Sequence, residues 1–405
     1  MINNGPLQGI RITEFTSAWA GPYATCLLGF LGAEVIKVES RQRLDHSRNL
    51  AFSTGKKFSG PNESSVFNSL NLNKASITLN LKNQKAIALA KQLLKISHAT
   101  MENMRPGVLD RLGLGYEAAK EIKPDIIYLS SSACGQTGPE REYVGYAPTF
   151  AAMAGLSFIT GYEDWPPSNF MGSIDLKSAF TSAFALIAAL CQHQRTGEGQ
   201  YIDLSSQEAI AALSGDIFLE YILNQNVPIR KGNRNEMMAP HNCYPCSGED
   251  KWISIAVANN EEWHALCYAM EKPELIQDEK FKDLKKRQKH MGELDAIISR
   301  WTQDQDHYIL MEKLQQAGVA ATPSLGSKAL FDDPHLKQRG VFQQVEHPVI
   351  GKDWVIGPPW KLSETPASIR CHAPLLGEHN HYVFCELLGM SPEEVKTLEE
   401  EQVIY

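Results

Sequence analysis

Apolar residues recur along the first 130 positions in two alternating rhythms. Short runs with strand character at 10–15, Glu34–Glu39, 76–81, 99–104 and 125–130 are separated by helix-like spacing, notably at 21–31 and Gln84–Ile96. Strands alternating with helices predict a parallel sheet with helices covering its faces. A helical pattern rich in small residues then runs from Asp175 to about residue 194. It closes at Thr196-Gly197-Glu198-Gly199 and leads into a strand at 200–204 and another helix from Ser205.

Periodicity fades between 226 and 248, where Asn, Arg, Pro and Met dominate and the pattern predicts a linker or an active-site loop. A second unit opens with a strand at 252–257, continues through helical patterns to Leu314 and exits near Pro323. From Asp332 onward the prolines and glycines predict an extended segment and not part of a core. The segment ends in a helix announced by Ser391-Pro392-Glu393-Glu394, a proline-start capping box.

Length and composition narrow the classes. A chain of 405 residues is long for one core and predicts two domains; 43% hydrophobic and 21% charged residues predict an ordinary globular fold. A net charge of −8 without a basic block argues against a nucleic-acid partner. The N-terminal stretch lacks a signal-peptide pattern, and the apolar run 179–191 is too short to span a bilayer, so no membrane partner and a cytoplasmic location are expected. Eight scattered cysteines fit a reducing compartment.

Four segments crowd glycine, proline and polar residues just past strand ends, where open α/β sheets place ligands: 16–21, 101–107, 131–139 and 170–177. The first lacks the glycine fingerprint of dinucleotide sites, so neither NAD nor flavin is expected. Asp175 stands before an apolar helix, where by residue type alone its commoner role is an N-cap. Cys243 and Cys246 form half of a common zinc motif, but no second pair follows at suitable spacing, so no metal is expected.

Several short motifs occur in a fixed order. They are Ala20-Gly21-Pro22-Tyr23, Leu31-Gly32-Ala33-Glu34-Val35-Ile36-Lys37-Val38-Glu39, Asn73-Lys74, Glu102-Asn103-Met104-Arg105-Pro106-Gly107, Gly135-Gln136-Thr137-Gly138-Pro139, Arg195-Thr196-Gly197-Glu198-Gly199-Gln200 and Ala373-Pro374-Leu375-Leu376-Gly377-Glu378-His379. Through them the chain resembles the family III CoA-transferases of the formyl-CoA and carnitine-CoA transferase type, over nearly its whole length. The resemblance implies a Rossmann-like large domain built from both termini (1–225 and 326–405) and a smaller α/β domain with linkers at 226–325. It also implies two subunits interlinked as rings, either a homodimer or a heteromer with a paralogue. The expected partners are an acyl-CoA and a small carboxylic acid.

By position, Asp175 matches the family's catalytic aspartate, which accepts the acyl group and then holds CoA as a thioester. A helix N-terminus is expected to keep that carboxylate ionised. Ala20, Leu79, Lys82, Asn103, Met104 and Arg111 match coenzyme A contacts, with Lys37, Arg41, Lys74 and Arg105 as nearby candidates. Formyl-CoA transferases carry Gln at Trp19, Arg at Ser40 and a glycine run in the 232–242 loop. These departures predict a bulkier acyl group than formyl, with Arg41 a substitute for the arginine missing at Ser40. Arg234 and His241 are candidates for meeting the acceptor carboxylate.

The racemase branch pairs its aspartate with a histidine, and here that position holds Tyr146, a weak proton acceptor at neutral pH, which favours transfer over racemisation. Asp175 likewise argues against the further alternative of a non-catalytic CoA-binding subunit. Gly145-Tyr146-Ala147-Pro148, Ile159-Thr160-Gly161-Tyr162 and Met238-Ala239-Pro240-His241-Asn242-Cys243-Tyr244 are similar to subunits of succinyl-CoA:benzylsuccinate CoA-transferase. That narrower likeness implies succinyl-CoA as donor and an aromatic or branched dicarboxylate as acceptor.

Overall fold

The computed structural model describes residues 5–49, 60–168 and 173–405. Six strands, β1 (Arg11–Phe15), β2 (Glu34–Glu39), β3 (Lys74–Thr78), β4 (Ala99–Glu102), β5 (Ile127–Ser132) and β6 (Gln200–Ser205), form one sheet in the order β3-β2-β1-β4-β5-β6. Every neighbouring pair is parallel. This is the doubly wound order whose direction reverses between β1 and β4.

Both sheet faces are covered, and successive side chains divide between them. Ile12, Val35, Met101, Ile127 and Leu129 face the helices Ala20–Phe30 and Ser173–Thr196. Phe15, Ile36, Ile77 and Tyr128 face the helix Gln84–Ile96 and the C-terminal residues Val383, Phe384, Val403 and Ile404. Along Ser173–Thr196 the buried residues are mostly small (Ser178, Ala179, Ser182, Ala183, Ala189), which lets its backbone lie close to its neighbours.

Two expectations need correction. The tail from Asp332 is not merely extended. Phe342–His347 (β10) and Gly351–Ile356 (β11) form an antiparallel hairpin, and Val355, Val383, Phe384, Val403 and Ile404 are buried in the core. The tail's prolines and glycines sit in turns between these pieces and obscured them. The loop expected at 226–248 likewise contains a strand, β7 (His241–Pro245), which pairs antiparallel with β8 (Trp252–Ala256). The capping box at Ser391 is present: its Oγ accepts from the Glu394 N–H at 3.2 Å, and Glu394 accepts from the Ser391 N–H at 2.7 Å.

The chain divides into two compact units, Met1–Ser157 with Asn169–Asn226 and His335–Tyr405, and Phe158–Ser168 with Val227–Pro334. The smaller unit therefore takes in an excursion at Phe158–Ser168 that the sequence pattern leaves in the large domain. It also runs past residue 325. Its sheet is antiparallel, β7-β8-β9, with β9 at Ala320–Pro323. Trp263 anchors its core, and the buried Arg287 stacks over that ring at 5.1 Å while donating to the Ala239 carbonyl at 2.8 Å.

Near the C-terminal ends of β1 and β2 and the N-terminal end of β3 lies a chain of charges shut away from solvent. Glu14 pairs with Lys74 at 2.9 Å and Lys37 at 3.5 Å, and Lys37 pairs with Asp45 at 2.9 Å; the side chains of Glu14, Lys37 and Lys74 are 0% exposed. Arg48 and Glu39 form a second pair, bonded at 2.7 Å through both Nε and an Nη, with the guanidinium 3.5 Å above the Phe67 ring. Three acids face three bases, so the burial leaves no net charge. Burial pushes the Glu14 carboxyl up, but Lys74 and Lys37 outweigh it and hold its pKa below the ordinary value. Removing one partner strands another. Lys74→Met is expected to lower unfolding stability by about 3–5 kcal/mol in denaturant titrations, and a loss under about 1 kcal/mol would contradict this account.

Candidate active site

The reversal of strand order opens a crevice between the C-terminal ends of β1 and β4, the usual ligand position of such sheets. Two loops meet there. Asn103, one residue past β4, accepts from the Ser17 N–H at 2.8 Å and donates to the Ser17 carbonyl at 2.8 Å. Asp45 accepts from the Ala18 N–H at 3.0 Å and from the Ser47 N–H and hydroxyl. Ala18, held between them, adopts a left-handed φ of 71°. Gly21 is required by the close approach, because a Cβ there would lie 2.9 Å from Asn103 Cγ and 2.8 Å from Thr16 Cβ.

This turn presents Trp19 and Ala20, both half-buried, at the start of the helix Ala20–Phe30. Met104 is also half-buried, and Arg105 and Arg111 on the same loop side are exposed. Arg41 follows β2 and Lys82 follows β3, both exposed. All strands run in one direction, so these cations share one edge of the sheet. Ser40, half-buried, accepts from the Gln42 N–H at 3.2 Å.

Lys37, Lys74 and Leu79 stand differently. Both lysine side chains are fully buried, Lys37 donating to the Thr16 carbonyl and Lys74 to the Pro22 carbonyl besides their ion pairs. Their ammonium groups are engaged by the protein itself and brace the crevice from inside. Leu79 is 0% exposed within the core, bridged to Ile404. The side chains of all three are enclosed by protein, unlike the exposed cations along the same edge.

Asp175 is the third residue of Ser173–Thr196, so it is not the cap of that helix. The neighbouring Ile174 packs in one apolar cluster with Ala147, the residue after Tyr146. The chain neighbours of Asp175 and Tyr146 thus share one cluster, and Tyr146 is 78% exposed. Residues 170–172 of the segment preceding Asp175 lie outside the described residues. Burial pushes the Asp175 carboxyl up to about 6. The carboxyl is thus less acidic than a free aspartate, because no described cation or donor offsets its desolvation, yet at neutral pH it is mostly ionised.

The smaller unit carries the other two candidates. Arg234 is exposed, and the His241 ring donates from Nδ1 to the Asn233 carbonyl at 2.7 Å. His241 and Cys243 share one face of β7, beside a cavity of about 420 Å³ lined also by Ser254, Gln315 and Thr322. Cys243 Sγ lies 3.1 Å from Ser254 Oγ, whereas Cys246 is buried. Among the described residues no three His, Cys, Asp or Glu side chains cluster as metal ligands would.

Sequence reasoning missed two acids that organise the crevice, Asp45 and Glu102. Neither stands out by period or composition. Only the fold reveals that Asp45 collects the Ala18 and Ser47 N–H groups, and that Glu102 is 5% exposed at the end of β4.

The model of CoA-transferase family III matches residues 7–380. A succinyl-CoA–D-citramalate CoA-transferase from Chloroflexus aurantiacus is 34% identical over 98% of both chains. The human succinyl-CoA:glutarate CoA-transferase is 34% identical over 96% of this chain and 87% of its own. Among solved structures, a CaiB/BaiF family protein from Brucella suis superposes with a TM-score of 0.86 at 29% identity, covering 95% of this chain and all of that one.

The raised Asp175 pKa has a stability consequence. The folded chain holds a proton that the unfolded chain releases between about pH 4 and 6, so ionised Asp175 weighs against folding above pH 6 and not below pH 4. Asp175→Asn is expected to unfold later than the wild type at pH 8, by about 1–2 kcal/mol, with the advantage vanishing near pH 4. Paired melts at the two pH values check this; a variant less stable at pH 8 would contradict it.

Proposed function

The chain belongs to CoA-transferase family III and is an enzyme that moves coenzyme A between carboxylic acids; from that premise we propose that succinyl-CoA is the donor, a small dicarboxylic acid the acceptor, and Asp175 the carrier. The donor and acceptor class rest on the relatives, which act with succinyl-CoA on citramalate or glutarate. The observation that carries the role of Asp175 is a half-buried carboxyl with no described counter-charge, raised by desolvation to about 6. A carboxylate stripped of water and left unpaired is a stronger nucleophile than a solvated one.

The steps balance without water, metal, nicotinamide or flavin. Asp175 attacks the thioester carbonyl, the C–S bond breaks, and a mixed anhydride and CoA thiolate result. The thiolate attacks the aspartyl carbonyl, releasing the donor acid and leaving an aspartyl-CoA thioester. The acceptor carboxylate then displaces the thiolate to form a second anhydride, and the thiolate attacks the acceptor's carbonyl, regenerating Asp175. On this reading Arg41, Lys82, Arg105 and Arg111 meet the phosphates of CoA, with Ala20, Asn103 and Met104 along the crevice. Trp19 and Tyr146 line the acyl pocket.

A second copy of the chain completes the assembly we propose. The helix Gly215–Asn224 buries none of its residues, and Ile222 and Leu223 are 63% and 73% exposed, as is Phe184 at 74%. Apolar surface of this extent on one helix favours a covering partner. The helix Ser173–Thr196 is apolar and long, but its buried face packs on the sheet, which favours a soluble, cytoplasmic protein.

Asp175→Ala is expected to lower transfer from succinyl-CoA at least a thousandfold, and hydroxylamine during turnover to modify Asp175 alone; retention of a tenth of the rate would sink the assignment. In the wild type kcat is expected to fall tenfold per pH unit below about 6 and to be flat from 7 to 8, since Asp175 must be ionised to attack. Light scattering is expected to give a dimer for the wild type and a monomer for Leu219→Glu with Leu223→Glu. An unchanged mass in that variant would remove the helix from the interface.

A further inference from the structure

Glu102 ends β4 and is 5% exposed, yet none of the ion pairs formed among the described residues includes it. Its Oε2 accepts from the Met104 N–H, two residues onward, at 2.7 Å, and its carboxylate also bonds the Ser130 side chain. That bond closes a tight turn and sets where Asn103 points. Asn103 in turn grips both backbone groups of Ser17, whose loop carries Trp19 and Ala20. One carboxylate therefore sets both sides of the crevice.

On its other side Glu102 faces a cavity of about 200 Å³, lined also by Asp110, Glu117, Tyr128, Gln136 and Tyr201. The groups that face it from the neighbouring elements are acidic or phenolic: Asp110 on the Val108–Arg111 helix, Glu117 and Tyr116 on the Tyr116–Ile122 helix, Tyr128 on β5, and Tyr201 and Asp203 on β6. The cations nearest in sequence are the exposed Arg105 and Arg111, and neither forms an ion pair with Glu102 among the described residues. This acid differs from Glu14, which has two lysines.

We propose that Glu102 is a positioning residue for coenzyme A, acting through the Met104 backbone to hold Asn103, Met104 and Arg105 at the mouth of the crevice. The inference rests on the reading of that crevice as the CoA site. Burial, with Asp110 and Asp203 adding to it, raises the Glu102 carboxyl to about 7, so it changes state near neutrality. Protonation replaces an anionic acceptor with a weaker neutral one at the Met104 N–H, and the turn slackens. The site thus tightens on CoA as pH rises through 7, independently of Asp175, which titrates about one unit lower.

The test is calorimetric titration of the full-length protein with free coenzyme A at pH 6 and pH 8, for the wild type, Glu102→Gln and Glu102→Ala. Gln keeps an acceptor for the Met104 N–H but cannot titrate. Ionisation of CoA itself and of Asp175 is common to all three proteins and cancels in ratios between them. Wild-type Kd is expected to weaken about tenfold more than that of Glu102→Gln between pH 8 and pH 6. Glu102→Ala is expected to weaken binding about tenfold at pH 8, and to raise KM for succinyl-CoA by more than it lowers kcat. If the wild type and Glu102→Gln respond to pH in parallel, the positioning role is overturned while the CoA site stands. If the wild type binds no CoA at pH 8, the reading of the crevice falls, and the role of Glu102 with it.

Discussion

The ion-paired chain Lys74–Glu14–Lys37–Asp45 is the constraint on which the crevice depends. Charges fully withdrawn from water tolerate only one arrangement, because any displacement leaves a bare ion at a cost of several kcal/mol. Asp45 is the outer end of the chain, and its Oδ1 holds the Ala18 N–H. The strained turn before Ala20–Phe30 is therefore tied directly to charges inside the sheet. An apolar core of equal volume would pack as well, but it could not fix the direction of that turn.

Much of the fold was legible because strands buried on both faces and helices with one buried face leave strong periodic traces. The helix Gln84–Ile96 and strand β2 fall where the pattern puts them. Strand β3 starts two residues earlier, at Lys74, because that lysine is buried by its partner Glu14, and no sequence pattern marks a charge as interior. The same blindness hid that the Lys37 and Lys74 ammonium groups are enclosed among carboxylates. β7 was hidden because one of its faces is polar and open, and β10 and β11 because their turns are richer in signal than their short strands.

The candidate site was legible in its residues and not in its electrostatics. Motif order singled out Asp175, Asn103 and Trp19, and the fold explains their positions: Asn103 and Trp19 on the two loops of the crevice, Asp175 on a helix that packs beside Ala20–Phe30. The sequence suggested an Asp favoured as an anion by a helix end. The side chain is in addition desolvated without a described counter-charge, which raises its pKa to about 6 and leaves it mostly an anion at neutral pH.

Three buried acids now separate by what surrounds them. Glu14 has two lysines and titrates low, which suits a permanent anchor. Asp175 and Glu102 have no described cation and titrate near 6 and 7, which suits groups whose charge matters at the moment of binding or attack. Counter-charge is thus the discriminating feature, more than burial itself, since all three are largely withdrawn from water. A buried carboxylate given a lysine is frozen as an anion and serves the architecture. One denied a lysine remains responsive to pH and to a ligand, and in this fold one such acid ends β4 and the other stands in the first turn of a long helix.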